Sequence, residues 1–330
     1  MIAGTDTLAE CQNGFDNAYG DNYVGGKYMA YTLENRLVIG VSSRALFDLT
    51  YENEIFEQQG VDAYCEYQVQ HENDILKPGP GFKIIKALLN INKLPGQEGR
   101  VEVIVMSRNS ADTSLRVFNA IEHYGLNISR AVLASGASLA PYLNAFKTDL
   151  FLSACEDDVQ SAINSGIAAG IICADGVRVY ADDDDIKCIR IAFDGDAVLF
   201  SDDSEKIYQT EGLEAFEKNE RENAKNPLTA GPFAKFLKTI SDLQKEFLPE
   251  DAPIRTALVT SRSAPAHERV IRTLRAWQVR IDEAFFLGGI KKRDVLEAFG
   301  AHIFFDDQAV HTTAASEVVP SARVPYKQTT

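Results

Sequence analysis

Basic residues are too few in this chain of 330 residues to offset its acidic ones. There are 33 lysines and arginines against 48 aspartates and glutamates, which gives a net charge of −15 at pH 7. Binding to nucleic acid requires a basic surface that displaces phosphate counterions, so this charge argues against a nucleic-acid partner. The same field repels an anionic substrate, which would therefore need a local cation at its binding site.

Cysteines and long apolar runs are also scarce. The five cysteines are odd in number and lack Cys-x-x-Cys spacing, which argues against a disulfide framework or a structural zinc site. No apolar run approaches the length of a membrane span, and the first residues show neither a basic start nor an apolar stretch. We therefore expect a cytoplasmic protein with no membrane partner.

Two carboxylates lie two residues apart where the apolar segment 189–193 ends. This β-branched segment predicts a buried strand of an α/β sheet, and side chains two residues apart share one face of a strand. Asp194 and Asp196 can therefore converge at the sheet edge where α/β folds bind ligands. Gly195 allows a substrate or metal to approach the backbone. The pattern alone also fits a solvated loop, or a glycosyltransferase Asp-x-Asp that holds a metal and a nucleotide sugar.

Two further segments downstream contain groups that suit phosphoryl transfer. A second apolar strand pattern, 255–262, ends in the hydroxyls of Thr260 and Ser261. These hydroxyls can hydrogen-bond a phosphoryl oxygen or cap the following helix. A lysine then follows two glycines, and its charge would offset that of a phosphoryl group. Lys292 is the predicted residue, although the sequence leaves Lys291 open.

A third apolar run, 302–307, ends in the adjacent carboxylates Asp306 and Asp307. Carboxylate oxygens are the ligands that Mg²⁺ prefers, usually one or two of them together with waters and a phosphate oxygen. The four segments in this order are more specific than any one of them. Together they predict a Mg²⁺-dependent phosphotransfer site.

The amino-acid sequences of these segments resemble those of one protein family. The strings VSSRALFDL, GPGFKIIKAL, FDGDAVLFSDDSE, LVTSRSA, FFLGG and HIFFDDQ resemble the type I cytosolic 5′-nucleotidases. That family belongs to the haloacid dehalogenase-like superfamily and dephosphorylates nucleoside monophosphates such as AMP and IMP. The likeness extends from about Tyr28 to about Glu317.

The resemblance implies a role for each carboxylate. Asp194 would attack the 5′-phosphate and form an aspartyl phosphate, while Asp196 would protonate the leaving oxygen and later activate water. Mg²⁺ would be held by Asp194, the main-chain carbonyl of Asp196, Asp306 and Asp307.

The resemblance also implies a set of phosphate ligands. Thr260 and Lys292 would hold the equatorial phosphoryl oxygens as charge spreads over them. Gly195, Ser261 and Arg262 complete the predicted phosphate-binding group of this half of the chain.

The chain also resembles itself. Gly60 in FEQQGVDAY matches Gly212 in YQTEGLEAF at an offset of 152, LKPGP matches LTAGP at the same offset, and VIVMSR matches ALVTSR at 154. Such self-similarity predicts an internal duplication. We therefore expect an α/β fold of two tandem Rossmann-like haloacid dehalogenase-type modules, each a parallel sheet flanked by helices.

The first copy lacks the carboxylates of the second. The aligned residues are Ser42 for Asp194, Arg44 for Asp196, Ser153 for Asp306 and Ala154 for Asp307. This copy is therefore predicted to be non-catalytic. It could serve as a packing scaffold or dimer surface, or Arg44 could bind a phosphate of the substrate or of an effector.

These patterns predict four parts in the chain. They are an extension (1–27), a degenerate module (28–185), a catalytic module (186–318) with a mainly helical cap insert at about 201–251, and a tail (319–330). A cap of this kind could close over the sheet edge and exclude water. Phe216, Phe233 and Phe236 could stack on a base or pack in the core beneath the cap.

Other functions and partners are left open by the sequence. The chain could be a phosphatase or phosphotransferase for another phosphomonoester, or a non-catalytic nucleotide sensor. A nucleoside monophosphate is the expected substrate. A nucleotide effector and a homo-oligomer are left open as further partners.

Overall fold

The computed structural model describes residues 23–24, 27–28, 31–172 and 186–328. Contacts divide the chain into two compact units, Met1–Asn35 and Arg36–Thr330. In the first unit, strands β1 (Tyr23–Val24) and β2 (Lys27–Tyr28) pair antiparallel. Most of the predicted extension, the predicted module boundary at residue 185, Cys11 and Cys173 lie outside the described residues.

The second unit contains a ten-stranded sheet. Its strands are β3 (Leu37–Val41), β4 (Val101–Ser107), β5 (Arg130–Leu133), β6 (Leu150–Ser153), β7 (Ala168–Ile172), β8 (Ile189–Phe193), β9 (Ile254–Thr260), β10 (Glu283–Phe286), β11 (Ile303–Asp306) and β12 (Ser321–Arg323).

The strand order is β10-β9-β8-β11-β12-β7-β6-β3-β4-β5. Neighbouring strands are parallel except for β7 and β12, which pair antiparallel through Ile172 and Ala322. The central strands are buried on both faces, as the fully buried runs of β6 and β7 illustrate. Near-continuous apolar runs of this kind are typical of parallel strands covered by helices on both sides.

Helices flank the sheet. They are α1 (Ser43–Leu46), α2 (Thr50–Gln59), α3 (Val61–Gln70), α4 (Phe82–Asn90), α5 (Leu115–His123), α6 (Ala140–Ala145), α7 (Glu156–Asn164), α8 (Asp203–Glu211), α9 (Leu213–Glu222), α10 (Ala234–Gln244), α11 (His267–Trp277), α12 (Lys292–Phe299) and α13 (Ala309–Ser316). The predicted α/β class, with a mostly parallel sheet between helices, is confirmed. No helix among the described residues is both long enough and apolar enough to span a bilayer.

The sheet differs from the prediction of a separate sheet for each module. Strands β3 to β7 and strands β8 to β12 have the same internal order, with the first strand of each half next to its second and fourth. The two halves join at β7 and β12 into one sheet. This pairing satisfies the backbone hydrogen-bonding groups on two strand edges that separate sheets would leave exposed. At the joint, a Cβ on Gly170 would lie 2.8 Å from the Cβ of Ala322, so the position has room only for glycine.

Each half carries a helical hairpin, α2–α3 in the first and α8–α9 in the second. The helices turn at Gly60 and Gly212, whose φ angles are 87° and 86°. Side chains strongly disfavour this region of backbone space, which explains why glycine occupies both corners of the repeated segment. The two corners occupy corresponding positions in the two halves.

Two segments differ from the sequence-based boundaries. Of the three helices within the predicted cap at 201–251, α8 and α9 are mainly exposed, whereas α10 buries Phe236, Leu237 and Ile240 in the core. Within the predicted tail at 319–330, β12 is a strand of the sheet. A strand of three residues gives too short a pattern to be recognised from sequence.

Candidate active site

Asp194 lies at the carboxyl edge of the sheet, directly after β8. Its backbone N–H donates to the carbonyl of Phe305 at 2.8 Å, which continues the pairing of β8 with β11. The residue is buried, with 5% of its surface exposed. Its carboxylate therefore needs a partner, because an unpaired buried charge is costly.

Lys292 supplies that partner. Its Nζ lies 2.7 Å from Asp194 Oδ1 and 2.6 Å from Asp306 Oδ2, at the start of α12. Lys292 is itself buried, whereas its neighbour Lys291 is exposed. The structure thus places Lys292 between the two carboxylates and Lys291 on the surface.

Three carboxylates form a cluster that could hold a metal ion. Oxygen atoms of Asp194, Asp306 and Asp307 all lie within 4.8 Å of one another, and all three residues are buried. One lysine leaves this group with excess negative charge. An all-oxygen donor set with uncompensated charge suits a hard divalent cation such as Mg²⁺.

The protonation behaviour of the cluster reflects its burial. Burial raises the pKa of the Asp194 carboxyl well above its usual value, and Lys292 opposes this rise only in part. Burial, opposed by a hydrogen bond from Tyr326 and reinforced by Asp306, raises the pKa of Asp307 to about 6. Burial also acts to raise the pKa of Asp306, but His311 and Lys292 outweigh it and the pKa falls. Asp306 is therefore the most firmly ionised of the three.

Two residues that support the cluster were not predicted from the sequence. The Tyr326 hydroxyl donates to Asp307 Oδ2, and His311 Nδ1 lies 3.3 Å from Asp306 Oδ2. A single tyrosine in an apparent tail gives no pattern, and His311 lacks metal-ligand spacing to any other histidine. Only the fold brings them to the carboxylates.

A second network holds Asp196 away from the cluster. Arg262 donates from Nε to Asp196 Oδ2 at 2.8 Å and from Nη2 to Oδ1 at 2.6 Å, a bidentate pair. Its Nη1 donates to Glu220 on α9. The Asp196 side chain is not part of the carboxylate cluster. Its predicted metal contact rests instead on its main-chain carbonyl.

Glu220 connects this network to the helical hairpin. It is fully buried and accepts hydrogen bonds from Arg262, from Arg269 at 2.8 Å and from Ser204 at 2.9 Å. Burial opposes the charge of Arg262, but Asp196 and Glu220 outweigh it and raise the pKa of the guanidinium further. Arg262, predicted as a phosphate ligand, therefore lies between two carboxylates and orients Asp196. Glu220 was not predicted, because a glutamate on an otherwise polar helix gives no signal.

We expect Glu220→Gln to destabilise the protein by about 1.5–3 kcal/mol, because the buried Arg262 and the half-buried Arg269 lose a charged hydrogen-bond partner. The loss should also weaken the orientation of Asp196 by Arg262 and lower kcat roughly tenfold. Urea unfolding and steady-state phosphate release measure the two effects. Glu222→Gln, on an exposed position of the same helix, is the matched control. Equal behaviour of the two variants would contradict the role given to Glu220.

The remaining predicted phosphate ligands differ in their location and burial. Thr260 is buried at the end of β9, and its Oγ1 accepts the backbone N–H of Arg262 at 3.2 Å. A Cβ on Gly195 would lie 3.2 Å from this Oγ1, so the turn after Asp194 packs closely on Thr260. Ser261 is exposed. Arg44 is in the first half of the sheet and lines a different pocket.

Three phenylalanines of the predicted cap also differ in burial. Phe233 and Phe236 are fully buried, with rings 6.2 Å from that of Phe193, so they pack in the core and are not available to a base. Phe216 is half-buried, and the guanidinium of Arg262 lies 5.2 Å from its ring centroid.

Comparison with known proteins identifies the family of this chain. The family described as 5′-nucleotidase matches residues 29–330. The human protein cytosolic 5′-nucleotidase 1B is 40% identical over 297 residues, which cover 86% of this chain and 48% of the human protein. The chain thus spans about half the length of this curated relative. No solved structure matches.

The chain therefore belongs to the 5′-nucleotidase family, and the resemblance seen in its sequence motifs is confirmed.

Proposed function

We propose that the chain hydrolyses nucleoside 5′-monophosphates of the AMP or IMP type to a nucleoside and phosphate, with Mg²⁺ as cofactor. The carrying observation is the buried cluster of Asp194, Asp306 and Asp307 with Lys292 at the carboxyl edge of the sheet. The name of the human relative supports the choice of a nucleotide as substrate.

In the proposed mechanism, an Asp194 oxygen attacks phosphorus in line with the bond to the ribose oxygen. That bond breaks as the aspartyl phosphate forms, and Asp196 gives its proton to the leaving oxygen. Asp196 then takes a proton from water, whose oxygen attacks phosphorus and releases phosphate and the free Asp194 carboxylate. Arg262 keeps Asp196 in place through both steps.

Groups that donate hydrogen bonds or carry positive charge would stabilise the transferring phosphoryl group. Lys292 contributes positive charge beside Asp194. The Thr260 hydroxyl accepts from Arg262 N–H and can still donate its own proton to a phosphoryl oxygen. We also propose contacts from Ser261 and from the backbone at Gly195. Preorganised charge and donors of this kind usually contribute the largest share of catalysis.

The proposed metal ligands are Asp194, Asp306, Asp307 and the main-chain carbonyl of Asp196. When bound, Mg²⁺ would offset charge on the phosphoryl oxygens and help to align the phosphate. Tyr326 and His311 orient two of these carboxylates by hydrogen bond or close contact. Such supporting residues commonly set metal affinity.

We expect chelation with EDTA to lower turnover by at least about 10²-fold and excess Mg²⁺ to restore it. Phosphate release from AMP before chelation, after it and after readdition of Mg²⁺ measures the effect. Dialysis without a chelator controls for irreversible loss. Full turnover in EDTA would exclude the metal from the mechanism.

A substrate panel tests the function itself. AMP, IMP, other nucleoside monophosphates and sugar phosphates are compared in Mg²⁺, with and without an acceptor nucleoside. We expect kcat/KM to be highest for a nucleoside 5′-monophosphate. A preference for a sugar phosphate would favour a different phosphatase, transfer to the acceptor would indicate a phosphotransferase, and no turnover at all would favour a sensor.

The broader assignments are proposals of the same kind. We propose haloacid dehalogenase-like modules related by duplication, supported by the shared strand order of the two halves. A cytoplasmic location is proposed from the printed name of the relative. A nucleotide effector and a homo-oligomer also belong to this proposal.

A further inference from the structure

The first half of the sheet has a cavity where the second half has its carboxylate cluster. It has a volume of about 460 Å³ and lies at the carboxyl ends of β3, β4 and β6, beside the hairpin α2–α3. Small-molecule sites typically measure about 300–1,000 Å³. We name this cavity the first-half pocket.

Strand register defines which residues correspond between the halves. Val41 pairs with Val105 in the first half, and Phe193 pairs with Leu258 in the second. Two residues beyond these pairs, Ser107 is the first-half residue that corresponds to Thr260. The sequence repeat at offset 154 had instead aligned Ser107 with Ser261. The local bonding agrees, because Asn109 N–H donates to Ser107 Oγ at 3.1 Å as Arg262 N–H does to Thr260.

Three serine hydroxyls line the first-half pocket at the carboxyl ends of its strands. Ser42, Ser107 and Ser153 take the places of Asp194, Thr260 and Asp306. Each Oγ accepts a backbone N–H from its own turn, at 3.2, 3.1 and 3.1 Å. Ser107 Oγ also lies 3.2 Å from Ser43 Oγ, and either hydroxyl of that pair can donate to the other. Each hydroxyl carries one proton, and those of Ser42 and Ser153 are not used in these contacts, so they can donate to a ligand.

The charges of the pocket leave one cation uncompensated. Glu52 is paired with Arg116 at 2.6 Å, and Asp158 with Arg108 at 2.6 Å. Arg44 lines the pocket, is exposed and has no hydrogen-bond or ion-pair partner among the described residues. The chemistry is therefore opposite to that of the carboxylate cluster. Carboxylates require a cation, whereas donor hydroxyls and a free guanidinium suit an anion directly.

The hairpins of the two halves present the same aromatic pair. The rings of Phe56 and Tyr64 lie 6.0 Å apart at 83°, and those of Tyr208 and Phe216 lie 6.2 Å apart at 82°. Phe56 and Tyr64 both line the first-half pocket, and Phe56 is 47% exposed. An exposed aromatic ring offers a stacking surface for a base.

We propose that the first-half pocket binds a nucleoside monophosphate without a metal and without hydrolysing it, with the phosphate on Arg44 and the serine hydroxyls and the base beside Phe56. The class of ligand rests on the proposed function, because it follows from the matching hairpins. The absence of metal follows from the donors of this pocket alone. With Ser42 at the position of Asp194, the pocket lacks the carboxylate that would form an aspartyl phosphate.

Calorimetric titration with AMP in EDTA tests the proposal on Asp194→Asn, which cannot form the aspartyl phosphate. We expect one AMP per chain to bind without metal, and Arg44→Ala on this background to weaken binding at least about tenfold. Arg272→Ala, which removes an exposed arginine elsewhere on the surface, should leave the affinity unchanged. Repeating the titration on the unmodified chain in EDTA keeps the result independent of how well Asp194→Asn folds.

Inorganic phosphate separates the two parts of the ligand. Arg44→Ala should weaken both AMP and phosphate, whereas Phe56→Ala should weaken AMP alone. No binding in EDTA, or binding that Arg44→Ala leaves unchanged, would overturn the site. Equal affinities for phosphate and AMP would overturn the nucleotide assignment. AMP hydrolysis in Mg²⁺ is measured separately on the unmodified chain, so failure of the proposed function and failure of this site give different results.

Discussion

Asp194→Asn is expected to lower kcat for AMP hydrolysis by at least about 10³-fold, because an amide cannot act as the nucleophile that forms the acyl phosphate. The fold should persist, since asparagine has nearly the same shape and Asp306 remains as a partner for Lys292. Phosphate release at saturating AMP and Mg²⁺ measures the loss, and circular dichroism checks the fold.

The control is Asp242→Asn, a change of the same chemistry at a half-exposed position paired with Lys245. It should retain full turnover. Trapping of labelled phosphate on the protein provides an independent measurement, because only the unmodified chain should carry an acid-stable aspartyl phosphate. Phosphate release that continued undiminished in Asp194→Asn would remove the nucleophile assignment.

Lys292→Met should destabilise the metal-free protein by about 3–5 kcal/mol. The change removes the cation between Asp194 and Asp306 and leaves buried carboxylates uncompensated, the situation in which breaking a buried ion pair costs most. Urea unfolding in EDTA measures the difference. Mg²⁺ should recover part of it, since any ligand that binds only the folded state stabilises that state.

Lys291→Met is the matched control, because Lys291 is adjacent and exposed. Surface changes of this kind stay within about 0.5 kcal/mol. The pair also decides which lysine contacts phosphate, since only Lys292→Met should abolish turnover. Similar losses in both variants would contradict the position assigned to Lys292.

The sequence predicted the features that depend on local pattern. Apolar runs that end in polar groups identified the strands before Asp194, Thr260 and Asp306, and a parallel arrangement brings such strand ends to one edge. The spacing after two glycines indicated Lys292. These features could be predicted because strand periodicity and turn residues are encoded within a few neighbouring positions.

Features that depend on contacts between distant segments could not be predicted. Glu220 accepts a hydrogen bond from Arg262, which is 42 residues away in the sequence, and Asp307 accepts one from Tyr326, which is 19 residues away. Neither side chain differs in local context from an ordinary surface residue. Arg262 was predicted to bind phosphate, because no sequence pattern indicated that Asp196 and Glu220 would be its partners. The pairing of β7 with β12 was not predicted for the same reason, because no local sequence pattern specifies which distant strand will pair with the edge of β7.

That joint has a consequence for how the chain folds during synthesis. Residues 321–323 are made about 150 residues after β7, at positions 168–172, so the inner edges of β7 and β11 stay open until β12 is made. Open parallel edges invite pairing with other chains. The nascent polypeptide is therefore most exposed to misassembly in the interval between the synthesis of β7 and that of β12.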